Sequence, residues 1–198
     1  MHLHIEDFTL KQLETLIWSM SRYVSSQGKK PSDLPQPYQI VLNQLVEKVR
    51  LKTASMKPRG VAFAIESIAN LDYRSEDTFK KLERVVISKF DDFIPHYMVK
   101  VLASYYKMGY GSGELYYKLI NGIIKAMNEG EHGEGLKYSD MLRFFEIFPE
   151  VSYIFDSTMN EELYKVFVVK ISQVMKDKKF PTEDVARVFS ILVRLSPY

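Results

Sequence analysis

Four histidines, a glutamate-bearing loop and a glycine-dense turn are the parts of this sequence best suited to chemistry. His2 and His4 form an H-x-H pair that can chelate a metal through two imidazoles, but chain ends fray and hold no fixed geometry. His96 follows Pro95 in a helical first turn, where a histidine is expected to be exposed or locally bonded. His132 lies within Asn-Glu-Gly-Glu-His-Gly-Glu-Gly (128–135). That loop lacks the Asp ladder and bidentate terminal Glu of a calcium loop and reads as solvated. Gly109-Tyr110-Gly111-Ser112-Gly113 follows no strand and lacks the Gly-Lys-Ser/Thr ending of a phosphate loop. It is also two positions short of G-x-S-x-G. The chain has no cysteine, which removes disulfides, thiolate zinc sites and cysteine nucleophiles. No catalytic residue, resident metal or cofactor is expected, and the chain does not read as an enzyme.

Charge carries more information. The 198 residues hold 27 Lys+Arg and 25 Asp+Glu, a net charge of +2. Residues 1–60 carry +4, residues 61–127 carry +1 and residues 128–198 carry −3. The densest basic run is Lys48, Arg50, Lys52, Lys57 and Arg59, with no acid between Glu47 and Glu66. Such a run can meet RNA phosphates or an acidic partner. It can equally be a solvated rim, because Arg50 falls about 200° from Lys48 on a helix. The apolar seam of Leu42, Leu45, Val46 and Val49 lies between them, and lysines near a helix C-terminus also suit its dipole. Both readings stay open.

These side chains must be positioned by helices. In Gly113–Asn128, Leu115, Tyr116, Leu119, Ile120, Ile123, Ile124 and Met127 recur at three- and four-residue steps, and Glu161–Lys176 repeats the pattern. That is helical periodicity. Breaks fall at 25–37, near Pro58, at 72–75, near Pro95, and at 109–113, 128–135, 152–160 and 176–181. Ser75 and Ser112 precede acidic first turns, and Thr158 with Glu161 has capping-box spacing. The class is all-α, with about nine helices. Adjacent tyrosines (Tyr105 with Tyr106, Tyr116 with Tyr117) cannot both face one seam, so one of each pair must turn outward.

The helices align as repeats. Segments starting at Phe8, Met56, Phe93, Leu136 and Phe180 place Leu13, Val61, Met98, Met141 and Val185 five residues on. Nine on come Ile17, Ile65, Leu102, Phe145 and Phe189, and Tyr73, Tyr110 and Tyr153 follow at seventeen. The reading is a single helical-repeat domain over 1–198, a right-handed stack of antiparallel helix pairs with units starting near 8, 56, 93, 136 and 180. An ordinary amphipathic bundle would align its apolar columns in the same way. The shared placement of Pro58 and Pro95 favours repeats.

The strings MKPRGVAFAIESIANLDY (56–73) and FIPHYMVKVLASYYKMGY (93–110) resemble the octotricopeptide and heptatricopeptide repeats of the FAST-kinase-like and RAP-domain organellar proteins. Each shows an apolar residue, Pro two positions later, an apolar helix, and tyrosine after a turn. The resemblance implies a mitochondrial, matrix-side protein that works in a large assembly and contacts RNA, as in a mitochondrial ribosome. The alternative is a structural accessory subunit of a respiratory-chain or ATP-synthase complex that binds protein only. Neither reading involves a small-molecule substrate, and no stretch of about 18 residues is apolar enough to span a membrane.

One expectation concerns the last helix. Val188, Phe189 and Leu192 can pack on the preceding helix, whereas Val185, Ile191 and Leu195 cannot all do so at once. These three are therefore expected to form an interface with another protein.

Overall fold

A proline opens two of the helices, and a turn of 3-10 helix precedes each. Thr53–Ser55 leads to Pro58 and Phe90–Asp92 leads to Pro95. The residues before those prolines, Lys57 (ψ 158°) and Ile94 (ψ 153°), are extended, as the proline ring demands of its predecessor. With its fixed φ and missing N–H, proline then suits the first helical position.

The computed structural model describes residues 7–129, 136–151, 157–176 and 182–195. These contain nine α-helices: α1 (Leu10–Ser26), α2 (Gln36–Lys52), α3 (Pro58–Asn70), α4 (Glu76–Ser88), α5 (Pro95–Met108), α6 (Gly113–Glu129), α7 (Tyr138–Val151), α8 (Ser157–Lys176) and α9 (Val185–Leu195). No strand occurs among the described residues. His2, His4, His132 and Tyr153 lie outside them, as does most of the 128–135 loop.

Caps form where the sequence signals them. Ser75 Oγ accepts from Thr78 N (3.3 Å) and Ser112 Oγ from Leu115 N (3.2 Å). Thr158, expected to cap α8, lies inside it. Gly109 ends α5 at φ 70°, a left-handed conformation that glycine adopts without a Cβ penalty.

The odd-numbered helices pack in order, α1 on α3, α3 on α5, α5 on α7 and α7 on α9, and the even helices do likewise from α2 to α8. The pairs α1–α2, α3–α4, α5–α6 and α8–α9 join the two series. Between them lies the core. Leu13, Val61 and Met98 of the fifth-residue column are buried, as are Ile17, Ile65, Leu102 and Phe145 of the ninth. Of the tyrosine pairs, Tyr105 and Tyr116 turn inward while Tyr106 and Tyr117 stay exposed. Tyr105 donates its hydroxyl to the buried Phe79 carbonyl (2.8 Å) and meets the Phe79 ring edge-on at 5.3 Å. Burial pushes its phenol pKa far up, so it stays a neutral donor.

α9 departs from the expected register. Val188 and Ile191 are its buried residues, whereas Phe189 is 67% and Val193 68% exposed. Phe189, aligned with Ile17 and Phe145 and expected to pack inward, thus faces out. The physical reason is a one-residue offset in the last unit. A start at 179 in place of 180 puts Val188 and Ile191 in the buried columns and aligns Pro181 with Pro58 and Pro95.

A lysine ties one unit to the next. Lys52 Nζ donates to the Phe8 carbonyl (2.9 Å), and Lys89 Nζ to the carbonyls of Met56 (2.6 Å) and Ala54 (2.7 Å). Lys52 and Lys89 each stand four residues before a unit start, and Phe8 and Met56 are the starts of the units before. These bonds satisfy carbonyls at the turns, which the helices leave without partners. Lys89→Met keeps the aliphatic stem and removes the donor. It is expected to cost about 1–2 kcal/mol in urea unfolding, since a charged hydrogen bond is lost and a carbonyl orphaned. A loss below about 0.3 kcal/mol would show that water replaces the ammonium freely.

Candidate functional site

The basic run does not form one patch. Lys48 and Arg50 lie near Glu47 on the side of α2 that meets α4, where Lys81 also acts on the Glu47 carboxylate. Arg50 is engaged there by a fork of two bonds, Nε to Glu47 Oε2 (2.7 Å) and Nη2 to Oε1 (2.6 Å). Lys52 is committed to the Phe8 carbonyl. Only Lys57 and Arg59 face the opposite series, beside α1. The end of α2 and the turn at Thr53–Ser55 reorient the chain between the two groups.

Lys57 and Arg59 border a groove of about 780 Å³ between the start of α3 and the first three turns of α1. Leu10, Trp18 and Phe63 supply apolar surface over the buried Met56, and Lys11 stands on the α1 side. The Arg59 guanidinium lies 5.6 Å from the centre of the Phe63 ring, with Lys100 Nζ 5.1 Å from the same centre. Arg22 lies 6.0 Å from the Trp18 ring. These are cation–π distances. Glu14 sits low in the groove against α3, and a Cβ at Gly60 would come within 2.0 Å of its Oε1. Glycine is therefore what lets the carboxylate lie on the helix. Burial raises the Glu14 pKa, with Arg59 opposing the shift.

Farther along the odd-numbered series, Glu66 of α3 accepts from Lys100 Nζ of α5 (2.7 Å) and from Arg143 Nη1 of α7 (2.9 Å). Burial alone would push the Glu66 pKa up, but the two cations outweigh it and hold the carboxyl below its usual range. His96 is neither free nor locally bonded. Its Nδ1 lies 2.9 Å from Asp140 Oδ2 on α7, an oxygen that also accepts from Lys137 N (3.0 Å) at the start of that helix. Among the described residues no three His, Asp or Glu side chains come together to hold a metal ion.

The expected C-terminal interface divides as well. Ile191 is 1% exposed and belongs to the chain's own core, and Leu195 is half-buried against it. Val185 is exposed, and Phe189 and Val193 join it. Phe189, Val168 and Leu192 line a shallow apolar groove of about 180 Å³ between α8 and α9. A second apolar groove, about 350 Å³ between α1 and α2, is lined by Leu16, Met20, Tyr23, Tyr38 and Val41. The sequence reading missed this one, because Tyr38 falls on the same helical face as Leu42, Leu45 and Val49 and its spacing gives no sign that it stays exposed.

Arg187 holds α9 on α7. It forks onto Glu146 (2.7 and 3.0 Å) and also bonds Asp184 (2.7 Å). Arg194 adds bonds to the Glu146 carbonyl and to Glu150. No helix among the described residues is long and apolar enough to cross a membrane. No protein-family model matches this chain, and no curated protein matches it either.

Proposed function

We propose that this protein is a non-enzymatic helical-repeat scaffold, a right-handed stack of antiparallel helix pairs that works by docking onto other proteins in a large assembly. The observation that carries this reading is the clustering of large exposed apolar side chains. Tyr23 and Tyr38 flank the groove between α1 and α2, and Phe189, Val193 and Val185 crowd the outer side of α9. Scattered surface apolar residues mean little, but grouped ones mark contact surfaces. Val185 and Val193, moreover, have no ring on which a nucleobase could stack. Placement in the mitochondrial matrix rests only on the resemblance carried by 56–73 and 93–110.

RNA contact is the second reading, favoured by the exposed Lys11 and Lys57 in one groove with the exposed Trp18. Against it, Arg50, Lys100, Arg143, Arg187 and Arg194 are engaged with carboxylates. Crosslinked pull-downs with and without RNase separate the two. The expected result is that partner proteins remain after RNase. Their loss, with a single-stranded RNA affinity falling at a log–log salt slope of about −3 to −4 for five phosphates, would establish RNA as the ligand.

A further inference from the structure

We propose that the groove between α1 and α3 is the docking site for an acidic segment of a partner protein that carries apolar anchors. The inference rests on the scaffold reading and names the chemistry of one partner. The groove has the volume of an ordinary binding cleft, about 780 Å³. Its surface is apolar where a side chain would insert, with Leu10 beside Trp18 and Phe63.

Among the described residues the exposed charge at the rim of that surface is positive. Lys11, Lys57 and Arg59 stand at the rim, all three exposed. Among the described residues none of the three is held in an ion pair, in contrast to the arginines of α2, α7 and α9. Among the described lining residues Glu14 is the one acid, and it lies on the Gly60 backbone within electrostatic reach of Arg59. Exposed Lys11 and Lys57, with Arg59 offset only in part by Glu14, surround an apolar floor and are the complement of an amphipathic acidic segment.

The aromatic rings argue against a nucleic acid as the occupant. Bases bind by stacking on open aromatic faces. Phe63 already has Arg59 and Lys100 over its ring and Tyr97 edge-on at 6.2 Å, and Trp18 has Arg22. Ring edges and the aliphatic surface of the half-buried Leu10 remain, and these pack well against a leucine or a phenylalanine.

The chain supplies its own probe, because Trp18 is its single tryptophan and is 46% exposed at the groove. The full chain is titrated with a synthetic peptide of Asp and Glu carrying leucines at i, i+4 and i+7, and Trp18 emission is followed. A saturable blue shift is expected. It should vanish when the acids become amides and when the leucines become serines. Lys57→Glu with Arg59→Glu is expected to weaken binding at least about tenfold. The milder Lys57→Gln with Arg59→Gln serves as the control for folding, with both variants melting as the parent does. Equal binding of the amide peptide or of the serine peptide would overturn the proposal. So would a silent Trp18. A mixed-sequence single-stranded RNA that shifts the emission and displaces the peptide would reassign the groove to nucleic acid. If the charge-reversed variant keeps its RNase-resistant partner proteins, this groove fails as a docking site while the scaffold reading stands.

Discussion

Phe145→Ala is expected to remove about 3–5 kcal/mol of stability, the usual range for truncating a buried phenylalanine. The ring is fully buried, 5.0 Å from Phe144 on its own helix and 4.2 Å from Phe167 of α8. Phe144 in turn packs on Phe148 at 5.6 Å. α8 otherwise packs chiefly on α6 and α9, so the Phe145–Phe167 contact fastens α7 to its sequence neighbour. A cavity there has several stiff rings around it and collapses poorly. At about 2–4 °C per kcal/mol for a chain of this size, the melting temperature should fall by roughly 10 °C. Urea unfolding checks the value and its scope. A lower midpoint with unchanged slope means loss of stability in one cooperative unit, whereas a shallower slope means that α7–α9 come away separately. A loss under about 1 kcal/mol would show that the rings repack around the gap.

Glu66→Ala is the second large effect, at about 2–4 kcal/mol. Lys100 has only 15% of its side chain exposed, so removing the carboxylate leaves a largely buried ammonium without its partner. Three successive odd-numbered helices lose a common tie in one step. Glu66→Gln keeps the shape and one acceptor and should cost less. The pH dependence has a definite sign. Because the folded-state pKa lies below the ordinary 4.5, the ionised carboxylate contributes its full stabilisation above about 4.5. That contribution is lost as pH falls through the lower folded value. The gap between parent and Glu66→Gln in urea should therefore be constant near neutrality and narrow below pH about 4.5. A gap independent of pH down to about 3 would mean that the charge itself contributes nothing.

Helical class, helix number and most of the core were legible because period 3.6 reports which face is inside. Leu13, Ile17, Val61, Ile65, Met98, Leu102 and Phe145 are buried where the repeat columns put them. The last unit was read one residue out of register because its apolar residues fill several flanks and several alignments score alike. Pro181, matched to Pro58 and Pro95, was the discriminating mark. The polar ties were not legible. Glu66 meets Lys100 and Arg143, 34 and 77 residues away, and His96 meets Asp140 at a separation of 44. Hydrophobic pattern orients a helix but does not say which charged residues of two helices arrive opposite one another. Lys48 to Arg59 show the converse: closeness in sequence became separation in space once a helix end and a 3-10 turn intervened.

The order of helix contacts bears on how the chain forms during synthesis. Each odd-numbered helix rests on the odd-numbered helix before it, and each even one likewise, so every principal contact closes a loop of roughly one repeat. Short loops lose little entropy on closure and favour rapid, local folding. A helix leaving the ribosome thus finds its docking surface already made by the pair ahead of it. The turn lysines act in the same sequence, for Lys52 can secure the Phe8 carbonyl before α5 exists, and Lys89 the Met56 carbonyl before α7 does. Assembly can advance from the N-terminus as a succession of small closures, with no need to await the last helix.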